Sequence, residues 1–342
     1  MTDLLIAGAG PAGLFTALFA RAAGLSVLVV EPRRSPIDKA CGEGLMPGAV
    51  RLLGELGLQV GTDLPGRPFH GIRYLDGDRV AESRFRSAAG WGVRRAELQS
   101  ALHRTAVERG VEFTDGAIDS VQQDVDRVTA GGHTARYLVA ADGLHSPIRR
   151  SLGLQVPDPA AARWGLRRHL QIAPWTDLVE VHWSATAEAY LTPVGPHEVS
   201  VALLTGTRAS FEEQLSGFPQ LAGRLAGAQG DDIRGAGPLR QRVRRRVAGR
   251  VLLVGDAAGY VDALTGEGID IAGRSAQQLV RCLIADRPGD YERAWLRVTR
   301  RYRYLTSALL AGRRREPVRR HLVGAAARHP WLFDRAVRQL TR

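Results

Sequence analysis

The sequence contains two cysteines, Cys41 and Cys282, and a single lysine, Lys39, among 342 residues. Two cysteines give neither a disulfide framework nor a thiolate cluster for a metal. No HExxH, paired CxxC or calcium-loop pattern occurs, so no metal is expected. There is no run of about 18 apolar residues to cross a bilayer. No motif recurs at a period of about 20–50 residues, which excludes solenoids and propellers. The start, Met1-Thr2-Asp3, enters a strand-like run without a basic stretch before it, so a cytoplasmic location is expected. What is present is the composition of a globular chain, 44% hydrophobic and 24% charged, long enough for one large or two modest domains.

The formal charge of +12 invites a nucleic-acid reading. No nucleic-acid module accompanies it and the arginines are spread along the chain, so no nucleic-acid partner is expected. Arginine stands at almost every basic position, which makes the one lysine, inside a motif, informative.

Residues 3–7 read as a buried strand, 11–23 as a helix of small and apolar residues ending at Gly24, and 26–31 as a second buried strand. Apolar strands separated by a helix signal a parallel sheet covered on both faces. Apolar strands recur at 137–142 and 250–256. Between them, 178–184, 188–193 and 199–205 are short, partly alternating segments that suit antiparallel hairpins.

Gly8-x-Gly10-x-x-Gly13, with Pro11 and Ala12 inside it, follows a strand and opens a helix, the context a dinucleotide fingerprint requires. Gly8 permits the turn, Gly10 leaves room for a pyrophosphate, and Gly13 lets helix and strand pack closely. The helix start presents unpaired N–H groups to phosphate. Glu31 ends the second strand, placed to grip an adenosine ribose, and its charge would repel a 2′-phosphate. The fingerprint alone fits FAD or NAD.

Two later segments are Ala141-Asp142-Gly143-Leu144-His145-Ser146 with Arg149, and Gly255-Asp256-Ala257-Ala258-Gly259 followed by Leu264-Thr265-Gly266-Glu267-Gly268-Ile269. With these the chain resembles, over roughly residues 1–285, the flavoprotein superfamily of group A monooxygenases and geranylgeranyl reductases. The resemblance implies an α/β fold: a Rossmann-like FAD-binding domain of the para-hydroxybenzoate hydroxylase type, an inserted antiparallel β-sheet substrate domain, and a helical C-terminal tail. The expected boundaries are 1–70, 93–155 and 245–288 for FAD binding, 71–92 and 156–244 for the sheet, and 289–342 for a helical cap. FAD is the implied cofactor, with NADH or NADPH as transient donor. Asp256 is implied to bond the ribityl chain, and Gly266, Glu267, Gly268 and Ile269 to lie beside the isoalloxazine ring. A helix start there suits the negative charge of reduced flavin. Asp142-Gly143 resembles the segment near both the pyrophosphate and the nicotinamide cofactor. Arg95 matches the arginine that reaches the flavin phosphates or ribityl chain, and Arg33 is placed near the adenosine.

The segment 36–47 contains Lys39-x-Cys41-Gly42-Glu43, which looks like the loop geranylgeranyl reductases place over the flavin. Gly259 and Ala263 depart from the His and Pro of many aromatic hydroxylases. Lys39 reads as a cation near flavin or substrate, or as a stem over apolar surface. Cys41 reads as an acid or hydride-path residue, or as a small buried one. Glu43 either bonds flavin or substrate, or caps a helix. In the sheet segment, His169, His182, Tyr190 and Thr192 are candidates for the substrate pocket, or pack between sheet and helices. The tryptophan-rich segment of halogenases is absent.

The tail from 291 alternates apolar residues with arginines, reading as a cap over the substrate entrance or as a basic face on anionic lipid. The expected activity is an NAD(P)H-dependent monooxygenase hydroxylating or epoxidising a small apolar aromatic, polyketide-like or lipid substrate through a C4a-hydroperoxyflavin. The alternatives are a reductase of isoprenoid double bonds and a non-catalytic flavin-binding assembly protein. A monomer or homodimer is expected.

Overall fold

The computed structural model describes residues 1–340 apart from 87, 159 and 161. The first sheet runs in the order Val247–Ala248, Val251–Leu253, His133–Ala140, Thr2–Ala7, Val27–Glu31 and Glu112–Asp115. All neighbours after the first pair are parallel. Ala7 lies opposite Val30 and Ala140, and Ala140 opposite Leu253. Three strands separated widely in sequence therefore end at one level, and Gly8, Asp142 and Gly255 leave the sheet together. The carboxyl edge of a parallel sheet is where ligands bind in such folds. Helices Pro11–Ala22, Arg95–Glu108 and Gly268–Ile284 cover this sheet, whose inner strands are mostly buried and so read as continuous apolar runs.

The second sheet has seven strands, in the order Arg234–Ala236, Trp164–Leu170, Glu198–Thr205, Ala187–Gly195, Val179–Trp183, Gly71–Asp76 and Arg79–Arg84. The hairpins read from sequence are there, but Val179–Trp183 runs parallel to Gly71–Asp76. That pair joins two distant stretches of chain, so no hairpin turn dictates its direction. Residues 90–92, grouped with this sheet in the sequence reading, pair instead with Gly44–Leu45 and Arg67–Phe69 in a small third sheet.

One face of the large sheet, with Leu191, Val201 and Leu203, is covered by helices Phe211–Ser216 and Pro219–Leu225. The other face carries Ile72, Tyr74, Val179, Val181 and Leu204 and looks toward the first sheet's carboxyl edge. At the far end of that face, helices Tyr291–Arg314, Glu316–Arg328 and Pro330–Leu340 bring Leu310, Val323 and Phe333 into the same apolar cluster. The Phe333 ring sits 4.9 Å from Tyr74. No helix among the described residues is long and apolar enough to cross a membrane.

Candidate active site

A cavity of about 470 Å³ opens between the two sheets. Its floor is the glycine turn. Gly8 has φ +104°, and a Cβ there would meet the Ala141 carbonyl oxygen at 2.6 Å, while one on Gly13 would meet the Gly8 carbonyl oxygen at 1.9 Å. Gly10, in contrast, faces open space, its nearest such contact being Arg95 Nη2 at 4.0 Å. Helix Pro11–Ala22 begins here with no side-chain cap, leaving its first N–H groups to the cavity. Glu31 is buried; one oxygen accepts from Ala9 N at 2.8 Å and the other from Arg33 N and Nε at 3.1 and 2.8 Å. It thus clamps the glycine turn from behind and holds Arg33, which does line the cavity.

Asp142 unites two readings. One carboxylate oxygen accepts from Ser146 Oγ at 2.8 Å and Ile148 N at 3.2 Å, as a cap on the following turn. The other is buried without a hydrogen-bond partner, and burial pushes this carboxyl up. Arg149, 1% exposed, donates to the carbonyls of Asp256, Ala257 and Leu144 and so stitches the 142 turn to the 255 turn.

Asp256 and Lys39, 217 residues apart, form an ion pair at 3.0 Å on the cavity wall. The Lys39 ammonium is thus placed at the cavity wall with a carboxylate partner. Beyond Asp256, Gly266 has φ +69° with nothing within 4 Å of where a Cβ would stand. Gly266, Gly268 and Ile269 line the cavity at the start of helix Gly268–Ile284. Glu267 does not line it: its side chain turns back toward Arg301, 3.7 Å away, and one oxygen is buried without a partner. Burial pushes this carboxyl up to about 7.

The 36–47 loop crosses the cavity with Cys41, Gly42 and Glu43 in its wall. Burial pushes the Cys41 thiol up, so it stays protonated, and its sulfur accepts from Glu43 N at 3.4 Å. Glu43 holds φ +60°, a strained conformation for a residue with a side chain. Buried ties hold it there: one oxygen accepts from Arg95 N at 2.8 Å, and the other lies 2.6 Å from His169 Nε2. Glu43 therefore does cap the helix that starts at Arg95. His169 is also 2.6 Å from Asp231 through Nδ1. Burial pushes the imidazole down, but bonds to the two carboxylates outweigh it and leave it raised.

His169 is consequently a brace behind the loop and not a cavity residue. His182 is not one either: strand alternation turns Val179 and Val181 inward, while His182 faces the other side and bonds Glu180 at 3.2 Å. Tyr190 and Thr192 do line the cavity. The Tyr190 hydroxyl donates to the Leu264 carbonyl at 2.8 Å, and Thr192 Oγ1 donates to the Gly42 carbonyl at 2.8 Å, pinning the loop. Sequence reasoning missed Phe69, Ile72, Tyr74 and Leu204, which form the apolar roof, and Tyr260. The alternation of 71–76 was the available signal for two of them.

The cavity suits FAD. An elongated floor lies between Gly10 and Gly266, both open to it, and two buried polar atoms beside it, Arg95 Nη1 and Asp142 Oδ1, have no protein partner. Buried polar atoms are ordinarily paired, so both point to a ligand. Arg95 and the helix start after Gly10 would hold the phosphates, and Asp256 the ribityl hydroxyls.

Comparison with known proteins agrees. The family model described as FAD binding domain matches residues 1–208. A menaquinone reductase of Mycobacterium tuberculosis is 31% identical, the match covering 81% of this chain and 76% of that protein. A 12-dehydrotetracycline 5-monooxygenase/anhydrotetracycline 6-monooxygenase of Streptomyces rimosus subsp. rimosus is 28% identical over 81% of this chain and 61% of that one. Among solved structures, the flavin-dependent brominase Bmp2 superposes with a TM-score of 0.83 at 20% identity, covering 99% of this chain and 93% of that one, a likeness of fold.

Proposed function

Since the chain belongs to the FAD binding domain family and is an FAD-dependent oxidoreductase of the group A monooxygenase and geranylgeranyl reductase superfamily, we propose that it is an NAD(P)H-dependent monooxygenase acting on an apolar, ring-bearing substrate. One observation carries the reading: the roof over the flavin floor is Phe69, Ile72, Tyr74, Val179, Val181 and Leu204, and among the described residues no strand of the large sheet contributes a charged side chain to the cavity. Such a lobe takes a flat apolar ring and keeps water out. The monooxygenase relative supports the same chemistry.

When bound, FAD supplies the electron transfer, to oxygen or to carbon. The chain's part is to hold and to exclude. Backbone N–H groups at 266–269 stabilise negative charge at the helix start. Tyr190, raised well above its ordinary value by burial, keeps its proton and its bond to Leu264, fixing the turn that precedes Gly266. The apolar roof positions a substrate carbon against the floor.

A second reading, reduction of an isolated carbon–carbon double bond, is favoured by the neutral Cys41 thiol in the cavity wall and by the menaquinone reductase relative. One experiment separates them. Purified protein with bound FAD is given NADPH or NADH and a panel of alkyl phenols and isoprenoid quinones in ¹⁸O₂. The expected product gains one labelled oxygen, with one O₂ consumed per substrate. A product heavier by two hydrogens, formed without oxygen uptake, would overturn the monooxygenase reading and establish the reductase.

A further inference from the structure

Gly266 and Gly268 line the flavin cavity, and the residue between them is a buried acid. Glu267 precedes the first turn of helix Gly268–Ile284 and is 8% exposed. Its Oε2 has no hydrogen-bond partner. Two charged groups face it. Arg301, on helix Tyr291–Arg314, stands 3.7 Å from Oε1, beyond hydrogen-bond distance, and is itself 36% exposed. Asp270, on the helix that Glu267 opens, adds a like charge and has its own partner in Arg274, 2.9 Å away. Burial, the largest influence, holds the carboxyl up at about 7 against the pull of Arg301 and a hydrogen bond from Thr265.

A carboxylate taken out of water needs partners for both oxygens, and this one is short of them. Such a group lies close to the balance between its two protonation states, and a new charge nearby tips it. Flavin reduction supplies that charge. Two electrons and one proton convert FAD to its anionic reduced form, whose charge the N–H groups at 266–269 face. An anion there disfavours ionised Glu267, in surroundings where little water screens the pair. Linkage makes the effect mutual. Each unit by which reduction raises the Glu267 pKa is about a tenfold loss in the reduction constant when Glu267 is ionised.

We propose that Glu267 is a redox-linked proton acceptor: it takes one proton from solvent when the flavin is reduced and returns it on reoxidation. The flavin receives two electrons and one proton, which the donor's hydride carries together, and the Glu267 carboxylate receives one further proton. Glu267 thereby sets the flavin's potential without touching the reacting atoms. The inference rests on FAD binding alone and holds whether oxygen or carbon accepts the electrons.

The test reduces the FAD-bound protein electrochemically, without oxygen or substrate, across a range of pH, in wild type, E267Q and E267D. Below about pH 6 Glu267 is protonated in both redox states, so the reduction constants of wild type and E267Q should agree within about twofold. Near pH 8.5 E267Q should be about tenfold easier to reduce, since wild type then carries the opposing charge. E267D, which keeps a carboxyl, should restore a pH-dependent gap. The wild type's infrared difference spectrum near pH 8 should gain a protonated-carboxyl band on reduction that E267Q lacks. Equal pH slopes in wild type and E267Q, or no such band, would overturn the proposal. If E267Q loses its flavin, proton uptake by the wild type near pH 7.5 decides: about two protons per two electrons support the proposal, and about one overturns it. The oxygen-labelling result leaves these measurements untouched, so the two readings fall separately.

Discussion

Lys39 and Asp256 are each about one-third exposed, so their ion pair is partly screened and its value lies in place as much as in energy. In K39M, Asp256 would turn an uncompensated charge toward the flavin's own phosphates and ribityl oxygens. The expected consequence is FAD affinity about five- to tenfold weaker with little change in melting temperature, read from flavin retained after gel filtration and from titration of the apoprotein. Undiminished affinity would remove Lys39 from the cofactor site. Glu267 gives a pH dependence. Its carboxyl titrates at about 7 in the fold, above its ordinary 4.5, because burial disfavours the charged form. Its contribution to stability is therefore complete below about pH 4.5 and is lost as pH rises through 7. The unfolding free energy of the wild type should fall between pH 5 and 8 by about 2 kcal/mol more than that of E267Q, measured by urea unfolding at each pH. Parallel profiles would contradict it. The glycines and Asp142, Asp256 and Arg95 could be read from sequence because each sits a fixed step from a strand or helix end. The role of His169 could not, since its partners Glu43 and Asp231 lie 126 and 62 residues away and meet only in the fold.

Among elements, the parallel sheet was legible because burial on both faces writes continuous apolar runs, and the hairpins because their strands alternate. The inward register of Val179–Trp183 was not, since a one-residue slip exchanges the faces of a strand and the histidine stands out whichever way it points. Nor was the joint between sheet and tail. Glu188, fully buried on strand Ala187–Gly195, accepts from Arg163 and from Arg313 of helix Tyr291–Arg314, and Arg163 also lies 3.2 Å from Asp262. Burial pushes Asp262 up to about 6, so it holds its charge at neutral pH and gives it up in mild acid. Removing its most buried anion would leave two largely buried cations, Arg163 and Arg313, with Asp262 as the one remaining carboxylate of the cluster. E188A is therefore expected to cost about 3 kcal/mol, measured by urea unfolding, and to expose sites in the tail to trypsin before the flavin domain unfolds. A loss under about 1 kcal/mol would show that the tail is held by its apolar contacts alone.

At the scale of the molecule arginines are spread along the chain, but elsewhere carboxylates nearly balance them, so the net charge falls in the C-terminal tail. Residues 291–342 carry fourteen arginines against three carboxylates, which is nearly the whole of the chain's +12. The apolar side chains of the same helices are divided. Leu310, Val323, Phe333 and Val337 are buried against the large sheet, while Trp331 and Leu332 stay 60% and 48% exposed at the start of helix Pro330–Leu340. The inward set makes the tail a cap on the sheet that roofs the substrate lobe. The outward set, within an arginine-rich surface, has the chemistry of an anionic bilayer contact: cationic groups at the headgroups, an indole and a leucine below them. Such a contact would present the roofed cavity to a substrate dissolved in lipid. The protein should co-sediment with phosphatidylserine vesicles at low salt and leave them as salt rises, because screening removes the arginine attraction. It should ignore phosphatidylcholine vesicles, and W331S/L332S should weaken binding while keeping the salt dependence, since that change removes insertion and leaves charge. Absence from anionic vesicles at low salt would confine the tail to its inward role as a cap on the large sheet.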